Sequence, residues 1–422
     1  MNAFSAIILA ALGLDFGLRL AANLLNLRAM QMEPPPDLEG IYRQEDYRNS
    51  QKYNRTVTLF DLVVSAFSLA VLLSFWFAGG FGYLDRVIRP WDLGPVVSGL
   101  VYIGLLMIAY SLLSLPFSIY ATFVIEERFG FNRATPRTFA LDRVKAIALT
   151  ALLGTALLSA IISLFEYSGD AAWLYVWAVV TVFTLAMQFV VPTWIMPLFN
   201  KFTPMQPGEL KDAILKYAGS VNFPIKNIFV MDGSKRSTKS NAFFTGFGRN
   251  KRIALFDTLI EKHTTPELVA VLAHEVGHYK KKHITQGIVI SILHTGVIFF
   301  LLSVFLDSSG LYWAFYVAEP SVYTGLLFFG LLYTPIEMVL SIALHIASRR
   351  NELQADRFAA ETVEQPQSLV AALKKLSADN FSNLTPHPFY VFLNYSHPPL
   401  RQRVRVIQRY GTAEAAAKTD LS

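Results

Sequence analysis

Seven apolar runs, each long enough to cross a bilayer, constrain this chain more than any other feature. They lie at roughly 3–26, 58–80, 95–120, 146–165, 172–195, 285–306 and 321–347. A helix rises about 1.5 Å per residue, so about 20 apolar residues cover the ~30 Å hydrocarbon core. With no water there to satisfy backbone groups, only helices or closed barrels can span it. Long, unbroken hydrophobicity selects helices. The composition agrees, with 53% hydrophobic and 16% charged residues, against about 45–50% and about 25% in soluble domains. An ordinary soluble enzyme, a disordered chain, a coiled coil and a collagen-like chain are excluded. There is no cysteine, which excludes a disulfide scaffold, a thiolate metal site, an iron–sulfur cluster and a cysteine nucleophile.

Lys and Arg orient these spans. The first loop carries Arg28, Arg43, Arg48, Lys52 and Arg55, and the third carries Arg128, Arg133, Arg137, Arg143 and Lys145. The second has only Arg86 and Arg89; the fourth (166–171) and sixth (307–320) have none. The fifth loop and the tail from Arg349 are basic again. Rich and poor loops alternate without a break. Because basic residues collect in cytoplasmic loops, the N-terminus is expected outside and the C-terminus inside. The net charge of +6 then reflects topology, and no aromatic-plus-basic RNA motif argues for nucleic acid. The first run has no basic residue ahead of it and is longer than a signal-peptide core, so it reads as a retained helix.

Two segments are too polar for membrane. Residues 200–284 predict a helix over 208–219, a strand over Asn227–Met231, a polar turn, a strand over Asn241–Phe247, a turn over Gly248–Lys251, a strand over Arg252–Phe256 and a helix from about Pro266. Residues 348–422 read as mostly helical, broken at Pro386–Pro388 and Pro398–Pro399.

Residues 271–280 read VLAHEVGHYK, placing His274 and His278 four apart around Glu275. On a helix, positions four apart share one face. Two imidazoles so spaced can hold one tetrahedral zinc, and the Glu between them is placed to take a proton from water at the metal. Only 8 histidines occur in 422 residues, so a helix with two unrelated surface histidines is the weaker reading. A catalytic zinc takes three protein ligands. Lys281 stands where the extended HExxHxxGxxH motif needs its Gly, so the third ligand lies elsewhere. Residues 348–358, SRRNELQADRF, put Glu352 and Asp356 on one helix face. One carboxylate could bind metal while the other holds a ligating His from behind. Spacing alone does not choose between them, nor does it exclude two solvated charges.

HEVGH, then SRRNELQAD, then Tyr395-Ser396-His397-Pro398-Pro399-Leu400 together resemble the type I zinc CAAX prenyl protease family, integral-membrane gluzincin-type metallopeptidases. EERFGFN at 126–132, PLFNKF at 197–202 and SNAF at 240–243 are similar to it as well. The likeness runs from QEDYRNSQKY at 44–53 to HPPL. HEVGH by itself occurs in many zincins; the ordered set is much more specific. The resemblance implies one zinc per chain held by His274, His278 and Glu352, with Glu275 as general base and Asp356 behind a ligand. It implies His397 as a donor to the oxyanion of the tetrahedral intermediate. It also implies a mainly α, polytopic fold of seven transmembrane helices around a chamber, with a small α+β zincin-type catalytic region at the cytoplasmic rim. Zincins commonly hold the substrate backbone as an added strand, so Asn241 and Ala242 are the expected substrate-binding positions; an ordinary half-buried strand is the plain alternative.

The expected division is a five-helix membrane region over 1–199 and a peptidase region over 200–422. The expected activity is zinc-dependent endoproteolysis near the C-terminus of prenylated CAAX-type or other amphipathic peptides. A membrane quality-control protease, and a zinc-regulated transporter, are the alternatives. The expected partners are a peptide or protein substrate and the bilayer, with no nucleic acid and a monomeric chain. The expected site is a bacterial inner membrane with catalysis on the cytoplasmic face, the endoplasmic reticulum being the alternative. Asp15, Arg19, Asp61, Glu337, His294 and His345 fall within spans, where ionisable groups are costly and often functional; in a water-filled chamber they would face solvent.

Overall fold

The computed structural model describes residues 2–34, 43–225, 227–245 and 252–419. The chain opens with α1 (Ala3–Ala29), α2 (Gln44–Phe77), a short α3 (Gly80–Ile88), α4 (Gly94–Tyr120), α5 (Pro136–Tyr167), α6 (Ala172–Val190) and one turn, α7 (Met196–Phe199). A polar insert follows: β1 (Phe202–Pro204), α8 (Glu209–Ser220), β2 (Asn227–Met231), β3 (Ala242–Thr245), β4 (Arg252–Phe256), α9 (Asp257–Lys262) and α10 (Thr265–Lys280). Then come α11 (His283–Leu306), α12 (Ser309–Trp313), α13 (Val322–Leu332), α14 (Thr334–Thr362), α15 (Pro366–Asp379), α16 (Pro388–Asn394) and α17 (Leu400–Thr419).

Six helices among the described residues are long and apolar enough to span a membrane unbroken, and α13 with α14 forms a seventh span bent by 54°. The bend falls at Tyr333, ahead of Pro335, which has no N–H to continue the ladder of α13. Its second half does not stop at the membrane. α14 runs on to Thr362, so the predicted span 321–347 and the polar segment after it are one continuous helix beyond the bend. α4 and α6 each widen into a π turn at the C-terminal end, over Ala121–Glu126 and Val191–Ile195.

Only 6–17% of the most apolar window in each unbroken span is buried within the protein. In α4, Met107, Ile108, Tyr110, Leu112 and Leu113 are all exposed, and at 100° per residue these positions surround the helix. The spans thus form walls touched by protein mainly along their edges. Packing is dense at two levels. One cluster joins Trp76, Phe81, Phe315 and Phe328; the other surrounds α10. Of the intramembrane ionisable residues, Arg19 pairs with Asp15 at 2.9 Å. At the α13–α14 bend, His294 Nε2 lies 3.0 Å from the Tyr333 hydroxyl and 3.4 Å from Glu337.

The sheet order is β1-β2-β4-β3, with β2 and β4 parallel and the outer pairs antiparallel. The predicted strands Asn227–Met231 and Arg252–Phe256 coincide with β2 and β4. The third is shorter at its start than expected; residues 246 and 247, and the predicted turn 248–251, lie outside the described residues. β1 was not anticipated: three residues ending in Pro204 are too short to show alternation, and proline restricts them to an edge.

Candidate metal centre

The site is built on α10, whose start is fixed by its own sequence. Thr264 caps the helix, and the Glu267 carboxylate accepts the Thr264 N–H at 2.9 Å and Lys375 Nζ at 2.8 Å, tying the first turn to α15. Leu268, Leu272, Ala273 and Val276 are buried against β4, α14, α15 and α17 through Leu255, Ala359, Leu369 and Ile407. The opposite side of the helix is thereby committed to the histidines. Gly277 permits the closest approach. A Cβ there would lie 3.0 Å from both Ala355 Cα and its carbonyl oxygen, so any larger residue would push α14, and Glu352 with it, away.

His274, His278 and Glu352 each bring one ligand atom to within 4.8 Å of the others. The two imidazole Nε2 atoms are 3.2 Å apart. Glu352 Oε2 is 3.3 Å from His274 Nε2, and Oε1 is 3.2 Å from His278 Nε2. Glu352 is only 5% exposed, and its carboxylate meets imidazole nitrogens on more than one side. A buried carboxylate is costly unless charge partners or a metal answer it. Two converging imidazole nitrogens beside it complete a donor set that fits a divalent metal ion.

The two carboxylates of α14 are separated by the ring of His274. Glu352 faces Nε2, whereas Asp356 Oδ1 lies 2.9 Å from Nδ1. Asp356 is fully buried. Arg403 on α17 donates to both its oxygens, Nε to Oδ2 at 2.7 Å and Nη2 to Oδ1 at 2.6 Å. Burial and the Arg403 charge pull the His274 pKa down, but the contacts with Asp356 and Glu352 outweigh them and raise it to about 9. His397, in the turn after α16, places Nδ1 2.9 Å from Glu352 Oε2 while its side chain is 65% exposed. Glu275 is half-buried and, with His278 and His283, lines a cavity of about 400 Å³ between α10, α11 and α14. Asn241 is exposed and Ala242 half-buried at the start of β3, an edge strand. The Ala242 N–H donates to Asn241 Oδ1 at 2.8 Å.

Residues 23–201 match the family described as CAAX prenyl protease N-terminal, five membrane helices, and residues 204–410 match Peptidase family M48. The chain belongs to peptidase family M48. The relatives of this M48 peptidase include a CAAX prenyl protease 1 homolog of Arabidopsis thaliana, 36% identical over 91% of this chain and 93% of the relative. A probable CAAX prenyl protease 1 of Schizosaccharomyces pombe is 35% identical over 90% and 82%, respectively. The crystal structure of S. mikatae Ste24p superposes with a TM-score of 0.91 at 33% identity, covering 96% of this chain and 99% of that one. With its apolar spans, this M48 peptidase is a multi-pass integral membrane protein.

Two parts of the M48 site were not anticipated. Arg403 is one, because nothing in the tail sequence ties it to Asp356. His283 and Gln354 were missed altogether. Lys282, in the left-handed region at φ 60, reverses the chain after α10. The turn brings His283 Nδ1 to 3.1 Å from His278 Nδ1, and His283 Nε2 lies 3.1 Å from Gln354 Oε1. The available signal was a third histidine five positions after the motif.

Proposed function

We propose that this chain is a zinc-dependent endopeptidase that cuts a peptide bond near the C-terminus of prenylated CAAX-type or other amphipathic peptides. The observation that carries it is the convergence of the His274 and His278 imidazoles on the buried carboxylate of Glu352. The names of the relatives support the substrate class. In this reading His274 Nε2, His278 Nε2 and Glu352 hold the zinc. When bound, zinc supplies Lewis acidity toward the scissile carbonyl and the attacking water.

The side chains do the rest. Glu275 takes the proton from the attacking water and returns it to the leaving amine. Its position on the wall of the cavity beside His278 supports that role. Asp356 holds the His274 proton on Nδ1, leaving Nε2 free to bind, and Arg403 keeps Asp356 ionised. The same bookkeeping closes for His278. With Nε2 turned to the metal, its Nδ1–H donates to His283 Nδ1, and His283 Nε2–H donates to Gln354. His397 donates to the developing oxyanion through its exposed edge. The free edge of β3 at Asn241 and Ala242 receives the substrate backbone once the Asn241 side chain turns away.

The division into a membrane region (1–199) and a peptidase region (200–422) is supported by the two family matches meeting between residues 201 and 204. The enzyme is read as a monomer with no nucleic-acid partner, its catalytic rim facing the cytoplasm. The relatives named above are eukaryotic, which supports the endoplasmic reticulum and lends nothing to a bacterial inner membrane. The test compares a prenylated CAAX peptide with its unprenylated twin by mass spectrometry of the cleaved C-termini. Wild type should cut near the C-terminus, and Glu275→Gln should keep zinc and bind peptide without cutting. Turnover by Glu275→Gln at the wild-type rate would remove Glu275 from the mechanism.

A further inference from the structure

β3 pairs with β4 on one side; among the described residues no strand pairs with the other. The Phe256 N–H donates to the Asn241 carbonyl at 3.2 Å, so the backbone groups of Asn241 face β4. In an antiparallel pair, successive residues turn theirs to opposite sides. Ser240 and Ala242 therefore present N–H and C=O to the open side, about 7 Å apart at roughly 3.4 Å per residue.

The two positions differ in what meets them. At Ala242 the N–H is met by the neighbouring Asn241 side chain, which can swing away. At Ser240 both groups are taken. Its N–H donates to Asn380 Oδ1 at 3.1 Å, and Asn380 Nδ2 donates to its carbonyl at 3.1 Å. One side-chain amide thus exchanges both bonds with one residue, which is the pattern of an antiparallel strand pair.

Asn380 is firmly mounted. It closes α15, where the Phe381 N–H donates to the Ala378 carbonyl at 3.1 Å and the Ser382 N–H to the Ser377 carbonyl at 2.9 Å. This helix end usually puts glycine in the left-handed region. Here Phe381 takes that conformation, at φ 51, which a bulky residue does only where its surroundings hold it. They do so from two sides. Asn54 Nδ2 of α2 donates to the Phe381 carbonyl at 2.6 Å, and the Phe381 ring centroid lies 4.9 Å from that of Phe131. α15 is in turn tied to the histidine-bearing helix by Lys375 and Glu267. The Asn380 amide is thereby held in register with the metal centre.

We propose that Asn380 is a specificity-determining stop at the end of the substrate edge. The inference rests on β3 being the strand that receives substrate. A peptide lying antiparallel to β3 runs, N to C, from Thr245 toward Ser240. The residue paired with Ala242 is followed by one more in line. The next needs Ser240, where the Asn380 amide already sits. The C-terminal arm must end there or turn out of the sheet without further backbone pairing. A short arm fits and a long one is bent away, which favours bonds close to a C-terminus.

The test uses the full-length protein and two prenylated CAAX-type peptides, one of them lengthened at its C-terminus by four residues. Wild type should show the lower kcat/KM for the longer peptide. Asn380→Gly clears the amide and frees Ser240 to bond the longer arm. The long-to-short ratio of kcat/KM should then rise by about tenfold or more, as two backbone hydrogen bonds of typical net strength supply. Equal cutting of both peptides by wild type overturns the proposal. So does an unchanged ratio in Asn380→Gly, including one where both peptides lose rate alike, which makes Asn380 a brace for β3. If Asn380→Gly does not fold, Asn380→Ser shortens the side chain and is read in the same way. Singly N-methylated versions of the short peptide test the edge separately, since a receiving strand makes the losses recur with a period of two. No such period overturns the edge and the stop together; a period with an unmoved ratio overturns the stop alone.

Discussion

Replacing Asp356 by Asn keeps the volume and removes one charge at a fully buried position. The carboxylate meets three groups: Arg403 Nη2 and His274 Nδ1 at Oδ1, and Arg403 Nε at Oδ2. If the amide oxygen stays at Oδ1, the amide nitrogen meets Arg403 Nε, donor against donor. The Arg403 side chain, 13% exposed, then keeps Glu352 Oε2, at 3.8 Å, as its remaining ion-pair partner among the described residues. Breaking a buried pair by removing one partner costs about 3–5 kcal/mol, and the surviving Glu352 contact points to the lower end. Zinc affinity should fall as well, because His274 loses the anion behind Nδ1. Losing such a partner typically costs about 10- to 100-fold, or about 1.4–2.7 kcal/mol. Chelator competition reads the affinity, and thermal unfolding with and without zinc reads the stability. Adding Arg403→Met removes the orphaned charge, so the double variant should recover much of the stability yet keep the weakened zinc site. Wild-type zinc affinity in Asp356→Asn, or affinity restored by Arg403→Met, would refute the role assigned to Asp356.

His397→Ala should leave zinc content unchanged and lower kcat by about 100- to 1,000-fold with little change in KM; loss of zinc would mark His397 as a ligand. His283→Ala should lower zinc affinity by about 10-fold or more, and Gln354→Ala by less, measured by the same competition; equal affinities would leave the His278–His283 contact without consequence. In the metal-free protein His274 titrates at about 9 instead of 6.5. Zinc must displace that proton, so apparent affinity should rise by up to about tenfold per pH unit and level off near pH 9. The same shift stabilises the metal-free fold fully below about pH 6.5 and is lost as pH rises through about 9. The melting temperature of chelated protein should accordingly decline over that window, and a flat profile would contradict it.

How much of this was legible depends on how local each signal is. The spans, β2, β4 and HEVGH are written in consecutive residues, so hydrophobic length and four-residue spacing sufficed. Glu352 and Asp356 could not be told apart because they share one helix face; they separate only where His274 stands between them with a different nitrogen toward each. Arg403 and Gln354 reach the histidines from α17 and α14, and no pattern in their own segments marks that meeting. The bend at Tyr333 had a signal in Pro335, but it lay inside an apolar run long enough to read as one straight span.

α14 carries the metal-facing carboxylate at the end of a lever. From the bend at Tyr333 to Glu352 the helix extends about 28 Å, so each degree of tilt at the fulcrum displaces the carboxylate by about 0.5 Å. That is the whole positional tolerance of a functioning site. The grip of Arg403 on Asp356, one turn further out, is therefore a brake on the lever's free end. Strain arriving from the bilayer through α13 meets that brake before it reaches the histidines.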